Sequence, residues 1–280
     1  MSGPWGPAKG DKTVSRKFGF LTFNISFRYG EDGINSFVHR AGMILERIYA
    51  AKPDVICLQE ATPKIMGILR NALQSDYDII HLGREADLRG EGLAIFCRHG
   101  SVEFQTVERF WLSPTPLIPG SRYDCQKRFV RITEIALLYD VQRDRFFRLY
   151  NNHFDNTTLE NGDDTPRIQS MQQILEHLKA AQEITELPFF ICGDLNEKPD
   201  GEAIRYANAY EPVKMTDVTK DLEMTSHSFE GLGIRDQKID YIFTDKETAA
   251  AVKHVEIWDD VRDGIWLSDH FPVFAEFEFS

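Results

Sequence analysis

The order of strand-like and helix-like segments is the feature that most constrains this fold. The run FGFLTFNI is continuously apolar, as in a buried strand, and residues 34–52 after it carry apolar side chains at helical spacing. These apolar residues are Ile34, Phe37, Val38, Ala41, Ile44, Leu45 and Ile48. This order of strand and helix repeats. PDVICLQEA predicts a second strand, and residues 62–74 predict a second helix with Thr62 as its N-cap.

Beyond residue 76 the pattern changes to successive strands. The proline-rich stretch 113–127 predicts a long surface loop, and residues 165–184 predict the longest helix. Strand-like runs are YDIIHL, GLAIFCR, VEFQTVERFWL, RFVRITEIALLYD, FFRLYNNHF, LPFFIC, KIDYIFT, VKHVEIW and FPVFAEFEF. Together these segments predict an α/β fold with two packed sheets and helices outside them. We expect a single domain over residues 18–280, after a flexible segment of residues 1–17.

The composition narrows the class of protein. A chain of 280 residues with 42% hydrophobic residues can bury a sizeable core. Its formal net charge of −12 disfavours strong non-specific binding to nucleic acid, which depends on basic residues that neutralise phosphates. We see neither a signal peptide nor about 18 consecutive apolar residues, and therefore expect a soluble cytoplasmic protein without stable membrane anchoring. The four cysteines form no CxxC pair and are expected to be reduced.

Polar residues interrupt or end the buried strands at eight positions. The run ICGDLNEKPDG shows the pattern most clearly, because Asp194 and Asn196 follow a buried strand directly after Gly193. Taken alone, this run could be an ordinary turn, since Asp, Asn, Gly and Pro all favour turns. Eight such positions favour a shared site instead. They are Asn24, Glu60, His153, Asp194, Asn196, Asp240, Asp269 and His270.

The carboxylates in this set favour a hard divalent cation. Glu60 and Asp269 offer oxygen ligands suited to Mg²⁺ or Mn²⁺, which usually takes one or two carboxylates and keeps positions for water and substrate phosphate. For Glu60, an ion pair with a lysine is the alternative. The sequence has no HExxH or CxxC motif, which disfavours a zinc site. It also lacks the GxSxG and GxxxxGK[ST] motifs of serine hydrolases and P-loop NTPases.

Six motifs occur in a characteristic order along the chain. They are LTFNI, VICLQE, YNNHFDN, ICGDLNEKPD, KIDYIF and LSDHFPV. In this order they resemble the endonuclease/exonuclease/phosphatase superfamily of deoxyribonuclease-like metal-dependent phosphoesterases. ERFWLSPTP, KRFVR and DTPRIQSMQQIL resemble segments of its small soluble bacterial members. The resemblance implies a four-layered α/β sandwich of two mainly antiparallel sheets, with the site at one edge and Mg²⁺ or Mn²⁺ as cofactor.

The resemblance also implies a role for each residue near the metal and the nucleophile. Glu60 would be the principal metal ligand, with Asn24 and Asp269 near the same ion or its waters. Asp194 would orient and deprotonate the attacking water. Asn196 would fix the geometry of the phosphate or of the nucleophile.

Two histidines complete the implied site. His270 would face the scissile phosphate, while Asp240 would hold its other ring nitrogen. His153 would donate a hydrogen bond to a non-bridging oxygen. For each histidine, a structural role in the core is the alternative.

Several further residues have two interpretations that the sequence leaves open. Arg128, Arg131 and Arg167 could bind substrate phosphate through the guanidinium fork, or could have surface or ion-pair roles. Phe110 and Trp111 could stack on a base or a sugar, but aromatic residues of an apolar strand more often belong to the core.

The leading hypothesis is a divalent-metal-dependent phosphoesterase that hydrolyses a phosphate ester, with a phosphodiester favoured, by in-line attack of an activated water. Its substrate would be a phosphorylated small molecule, a lipid headgroup or a nucleic acid. One alternative is a nuclease or DNA-repair phosphodiesterase, which the acidic charge disfavours. A glycoside hydrolase would explain Glu60 and Asp194 but not the paired histidines. A catalytically inactive binding module on the same fold is the alternative from another class.

Overall fold

The described residues form two six-stranded sheets, one two-stranded sheet and five α-helices. The structure is a computed structural model that describes residues 17–30, 33–157, 165–229 and 236–279. The strands are β1 (Phe18–Asn24), β2 (Val55–Ala61), β3 (Tyr77–Gly83), β4 (Gly92–Arg98), β5 (Val102–Trp111), β6 (Ile132–Asp140), β7 (Arg145–His153), β8 (Phe189–Asp194), β9 (Thr216–Asp217), β10 (Asp240–Thr244), β11 (Val252–Ile257), β12 (Val261–Arg262), β13 (Ile265–Trp266) and β14 (Val273–Phe277). The helices are α1 (Phe37–Ala51), α2 (Pro63–Leu73), α3 (Thr165–Ile184), α4 (Glu202–Asn208) and α5 (Lys246–Ala250). Of the segment expected to be flexible, residues 1–16 lie outside the described ranges.

Both six-stranded sheets are mixed and mainly antiparallel, and β12 and β13 pair in a separate two-stranded sheet. The first has the strand order β11-β14-β1-β2-β4-β3, and the second has the order β5-β6-β7-β8-β10-β9. In the first sheet β1 and β2 pair in parallel, and in the second β7 and β8 do so. Helix α1 connects the first parallel pair and α3 the second, because parallel neighbours need a crossover connection.

The apolar residues separate into layers. Between the two sheets lies a cluster that includes Phe20, Cys57, Ile95 and Phe190, with the rings of Phe20 and Phe190 stacked at a centroid distance of 4.7 Å. A second cluster packs α1 and α2 against the outer face of the first sheet, and a third packs α3 and α4 against the second sheet. The helix, sheet, sheet and helix layers confirm the four-layered sandwich that the family resemblance implied.

The beginnings of the first two helices test the local sequence signals. The Oγ1 atom of Thr62 accepts a hydrogen bond from the backbone N–H of Ile65, and α2 begins at Pro63, as predicted. The first helix was predicted too long, since α1 begins only at Phe37. The N–H of Phe37 donates to the carbonyl oxygen of Arg28, so the preceding chain follows another path, and Ile34 is 58% exposed.

Three other expectations can be compared with the structure. The four cysteines are free thiols, as expected. The proline-rich stretch 113–127 contains no helix or strand, although all of it is described. None of the described helices is long and apolar enough to cross a membrane.

Candidate active site

Sheet topology brings the predicted residues to one edge of the sandwich. In the first sheet, Asn24 ends β1 opposite Gln59 of β2, so Glu60 follows at the same edge. In the second sheet, Asp194 of β8 lies opposite both His153 of β7 and Asp240 of β10. These strand ends meet across the sandwich, where the side-chain Nε2 of Gln59 donates to Oδ1 of Asn151 at 2.8 Å.

Asn24 connects the two sheets at the centre of the site. Its Nδ2 atom donates to Oδ2 of Asp194 at 2.9 Å and lies 3.3 Å from Oε1 of Glu60. Its Oδ1 atom accepts a hydrogen bond from the backbone N–H of Ser26 at 3.1 Å. The amide therefore holds one carboxylate of each sheet in place.

Glu60 points into the cleft because its strand is irregular. The pairing of β2 with β4 shifts register between Leu58 and Ala61, and Glu60 has a φ of +57°. Such bulges re-aim a side chain, and a positive φ is rare for a residue other than glycine. The backbone N–H of Phe27 donates to Oε2 of Glu60 at 2.9 Å. Burial, together with the negative charges of Asp269 and Glu91, raises the pKa of Glu60 to about 7.

Glu91 belongs to the same cluster and is the residue that sequence reasoning missed. One ligand atom from each of Glu60, Glu91 and His153 lies within 4.8 Å of the others. Glu91 precedes β4, which is antiparallel to β2, so the beginning of β4 lies at the same edge as the end of β2. A search for polar residues that start buried strands, as well as those that end them, would have found it.

The donor atoms of this cluster fit a hard divalent cation. Glu60 and Glu91 supply carboxylate oxygens whose mutual repulsion a cation would relieve. Asp269 adds a half-buried carboxylate whose Oδ1 atom lies 3.1 Å from Oγ of Ser268. The same Ser268 hydroxyl lies 2.8 Å from the backbone oxygen of Asn24, so Asp269 is tied to this part of the site.

Asp194, His270 and Asp240 form a second cluster. The Nδ1 atom of His270 lies 2.8 Å from Oδ2 of Asp240, and its Nε2 atom lies 3.7 Å from Oδ2 of Asp194. The hydroxyl of Thr225 donates to Oδ2 of Asp240 at 2.7 Å. Burial opposes a charge on His270, but the carboxylates of Asp240 and Asp194 outweigh it and hold the pKa of His270 well above its usual value. The imidazole is therefore held as a cation between two carboxylates.

Asp194 is a buried carboxylate held by hydrogen bonds. It is 1% exposed, and burial raises its pKa to about 6, with Asp240 also raising it and His270 opposing the shift. The backbone N–H of Asn196 donates to its Oδ1 atom at 2.9 Å, in the turn that the run ICGDLNEKPDG also suggested. A carboxylate held by hydrogen bonds, with a pKa near neutral pH, is suited to accept a proton from water.

His153 lies on the other side of Asp194. Its Nε2 atom is 3.4 Å from Oδ2 of Asp194, and the ring is buried. Burial, with the positive charges of Arg131, Arg84 and His270, holds the pKa of His153 well below its usual value. The two histidines of the site therefore differ in charge, with His153 neutral and His270 positive.

The structure also shows the surroundings of the arginines and aromatic residues for which the sequence left two interpretations. Arg167 is buried against Glu197, with 2.9 Å between Nε and Oε2, whereas Arg128 is exposed. Arg131 is buried beside the candidate site. Phe110 and Trp111 are 7% and 5% exposed, which confirms that they belong to the core.

Comparisons with known proteins agree with this fold. A model of the endonuclease/exonuclease/phosphatase family matches residues 21–270, and a search of curated proteins found no match. The structure of an endonuclease/exonuclease/phosphatase from Bacteroides vulgatus is 27% identical, with a TM-score of 0.84 over 95% of this chain and 100% of that one. A mannosyl-6-phosphatase from Bacteroides thetaiotaomicron is 23% identical, with a TM-score of 0.79 over 94% and 100% of the two chains. D. rerio TDP2, solved with a single-strand DNA product, is 17% identical, with a TM-score of 0.67 over 94% and 99%.

Proposed function

The chain belongs to the endonuclease/exonuclease/phosphatase family, and from this premise we propose that it is a divalent-metal-dependent phosphoesterase that hydrolyses its substrate by in-line attack of water. One observation carries the proposal. Asn24 Nδ2 contacts Asp194 at 2.9 Å and Glu60 at 3.3 Å, so the carboxylates suited to a metal and the carboxylate suited to a base share one cleft.

Glu60, Glu91 and Asp269 are the residues that would hold the cation, since they are the hard oxygen donors of the site. When bound, the cation would neutralise negative charge on the phosphate. Asn24 acts on this group indirectly. Its amide N–H fixes the distance between Glu60 and Asp194.

Asp194 is the proposed base. Its Oδ1 atom is occupied by the N–H of Asn196, and its Oδ2 atom accepts from Asn24, so the carboxylate cannot rotate freely. A water that approaches it would transfer its proton to a group whose pKa of about 6 is close to the working pH. A base positioned in this way typically contributes about 10²–10⁴-fold to the rate.

The two histidines supply hydrogen-bond donors to the phosphate. His270, held positive by Asp240, would donate from Nε2 and offset the negative charge that develops in the transition state. His153 would donate as a neutral imidazole, because the neighbouring arginines disfavour its protonation. Both rings are buried, so the donors are already in place before the substrate binds.

A small phosphorylated molecule suits this chain better than a nucleic-acid polymer. The formal net charge of −12 opposes binding of a polyanion. The fold itself is compatible with both classes, since one structural neighbour is named a mannosyl-6-phosphatase and another was solved with a single-strand DNA product. Charge, rather than fold, therefore favours the small substrate.

The proposal is tested by hydrolysis of p-nitrophenyl phosphate and bis-p-nitrophenyl phosphate in Mg²⁺, Mn²⁺ or EDTA. We expect metal-dependent turnover that falls by about 10²–10⁴-fold in Asp194→Asn, which keeps the side-chain shape but removes the base. The exposed Asp259→Asn is the matched control and should retain wild-type turnover. Turnover that persists in EDTA or in Asp194→Asn would contradict the proposal.

A further inference from the structure

Arg131 is a buried cation without a hydrogen-bond partner for two of its nitrogen atoms. Arg131 directly precedes β6 in the chain and is 1% exposed. Among the described residues, neither Nε nor Nη1 of Arg131 has a hydrogen-bond acceptor. Burial of an unpaired charge is costly, and native structures usually pair such a group with a carboxylate or an anion.

Arg84 forms an ion pair with one of the carboxylates near Arg131. Its Nη1 atom forms an ion pair with Oε2 of Glu91 at 2.9 Å. The guanidinium groups of Arg84 and Arg131 both lie against the ring of Phe129, at 4.5 Å and 5.5 Å from its centroid. Burial and the nearby charge of Arg84 lower the pKa of Arg131 to about 10, so the group is still a cation at neutral pH. Two cations therefore share one ring. Asp155, Glu91 and Asp194 are close enough to raise the pKa of Arg131, but neither Nε nor Nη1 of Arg131 is hydrogen-bonded to any of them.

The unpaired guanidinium lies beside the candidate active site. Arg131 lines a small cavity together with Arg84, Glu91 and His153. His153 lies 3.4 Å from Asp194, and Glu91 belongs to the carboxylate cluster around Glu60. The cavity has room for about one water-sized atom, so a single oxygen of a phosphate bound at the candidate active site would enter it and reach both the arginine and the residues proposed to act on phosphate.

We propose that Arg131 binds a terminal phosphate group, and hence that the substrate is a phosphate monoester. This inference rests on the proposed function. A monoester presents three terminal oxygens and a second negative charge, whereas a diester presents two such oxygens and one charge. The metal and the two histidines suffice for a diester, and Arg131 adds a fixed cation with a donor fork suited to one more phosphate oxygen. The sequence analysis favoured a phosphodiester, and this proposal favours a monoester instead.

The structure also chooses Arg131 among the three arginines that the sequence suggested. Arg167 already has a carboxylate, since its Nε atom lies 2.9 Å from Oε2 of Glu197. Arg128 has an exposed side chain and is not among the residues that line the cavity. Arg131 combines burial, unpaired donors and a position in the cavity.

Phosphate binding without metal is the first test, because it does not depend on catalysis. Inorganic phosphate is titrated calorimetrically in EDTA into the wild type, Arg131→Gln, Arg131→Lys and Arg128→Gln. We expect Arg131→Gln to weaken binding about 10- to 100-fold, the range for loss of a charged hydrogen bond, and Arg131→Lys to retain part of it. Arg128→Gln should bind as the wild type does. Wild-type affinity in Arg131→Gln, or loss only in Arg128→Gln, would overturn the assignment.

Kinetics and thermal stability complete the test. We expect Arg131→Gln to lower kcat/KM for p-nitrophenyl phosphate by about 10- to 100-fold, with less than threefold change for bis-p-nitrophenyl phosphate. Its Tm should be equal to or above that of the wild type, since removal of an unpaired buried charge is neutral or stabilising. A lower Tm with unchanged phosphate binding would show a structural role and overturn the proposal. If the wild type binds phosphate through Arg131 but hydrolyses neither ester, the proposed function fails while the anion site stands.

Discussion

Asp240 and Asp194 hold the imidazole of His270 between them. The Nδ1 atom of His270 lies 2.8 Å from Asp240, and Nε2 lies 3.7 Å from Asp194. The arrangement follows from strand register, because Asp240 of β10 is paired directly with Asp194 of β8. One carboxylate therefore fixes the orientation and charge of the ring, and the other faces the atom that would meet the substrate.

The substitution Asp240→Asn is expected to lower kcat by about 10²–10⁴-fold, the range for loss of a correctly charged acid or base. KM should change much less, since Asp240 acts on the substrate only through His270. Steady-state kinetics with p-nitrophenyl phosphate, with Tm measured in parallel, provide the check. A large fall in Tm together with unchanged kcat would assign Asp240 a structural role instead.

Divalent metal should stabilise the folded protein through Glu60. A ligand that binds only the native state raises the apparent stability with its concentration. We expect Tm to rise with Mg²⁺ or Mn²⁺, and Glu60→Gln to remove most of this rise. Glu85→Gln is the matched control, since the side chain of Glu85 is 49% exposed. An equal rise in the wild type and in Glu60→Gln would show that the cation binds elsewhere.

His81 should make stability depend on pH. Burial lowers the pKa of His81 below 6.5, and its Nε2 atom lies 2.8 Å from the backbone oxygen of Ala61. In the unfolded chain His81 binds a proton near pH 6.5, whereas in the folded chain burial disfavours its protonation. The contribution of neutral His81 to the free energy of unfolding is therefore present above pH 6.5 and is lost as pH falls. Between about pH 7.5 and 5.5, urea unfolding of His81→Gln should therefore show a smaller loss of the free energy of unfolding than the wild type shows. The exposed His39→Gln should follow the wild type.

Gly193 should be intolerant of a side chain. It has a φ of +125°, and a Cβ atom there would lie 2.0 Å from the backbone oxygen of Asn152 in the neighbouring strand. We expect Gly193→Ala to lower the free energy of unfolding by about 1–3 kcal/mol or more, because the backbone pair must separate. A Cβ atom at Gly67 in α2 would have no neighbour within 4 Å, so Gly67→Ala should instead raise the free energy of unfolding by about 0.5–1 kcal/mol. Urea denaturation measures both free energies of unfolding. A wild-type value for Gly193→Ala would contradict the close approach of Gly193 to the backbone of Asn152.

Local sequence signals predicted the beginning of α2 correctly and the beginning of α1 incorrectly. Thr62 and Pro63 start α2 because an N-cap hydroxyl and a proline without an N–H both suit the first turn. The predicted beginning of α1 was wrong. Ile34 continues the helical spacing in the sequence, but the backbone N–H of Phe37 donates to the carbonyl oxygen of Arg28 and the helix begins only at Phe37. A tertiary contact therefore overrode a local pattern.

The sequence by itself determined the kinds of residue and the strands that carry them. Apolar periodicity and turn residues are local properties, and they placed Asp194 after a buried strand and Glu60 at the end of another. Only the tertiary structure decided which side chains meet. The contact between Asn24 and Asp194 spans 170 residues, and the charges of His270 and His153 depend on burial and on neighbours from other strands. Glu91 and Arg131 acquire their proposed roles in the same way, because strand register and sheet packing set distances and burial that no local pattern encodes.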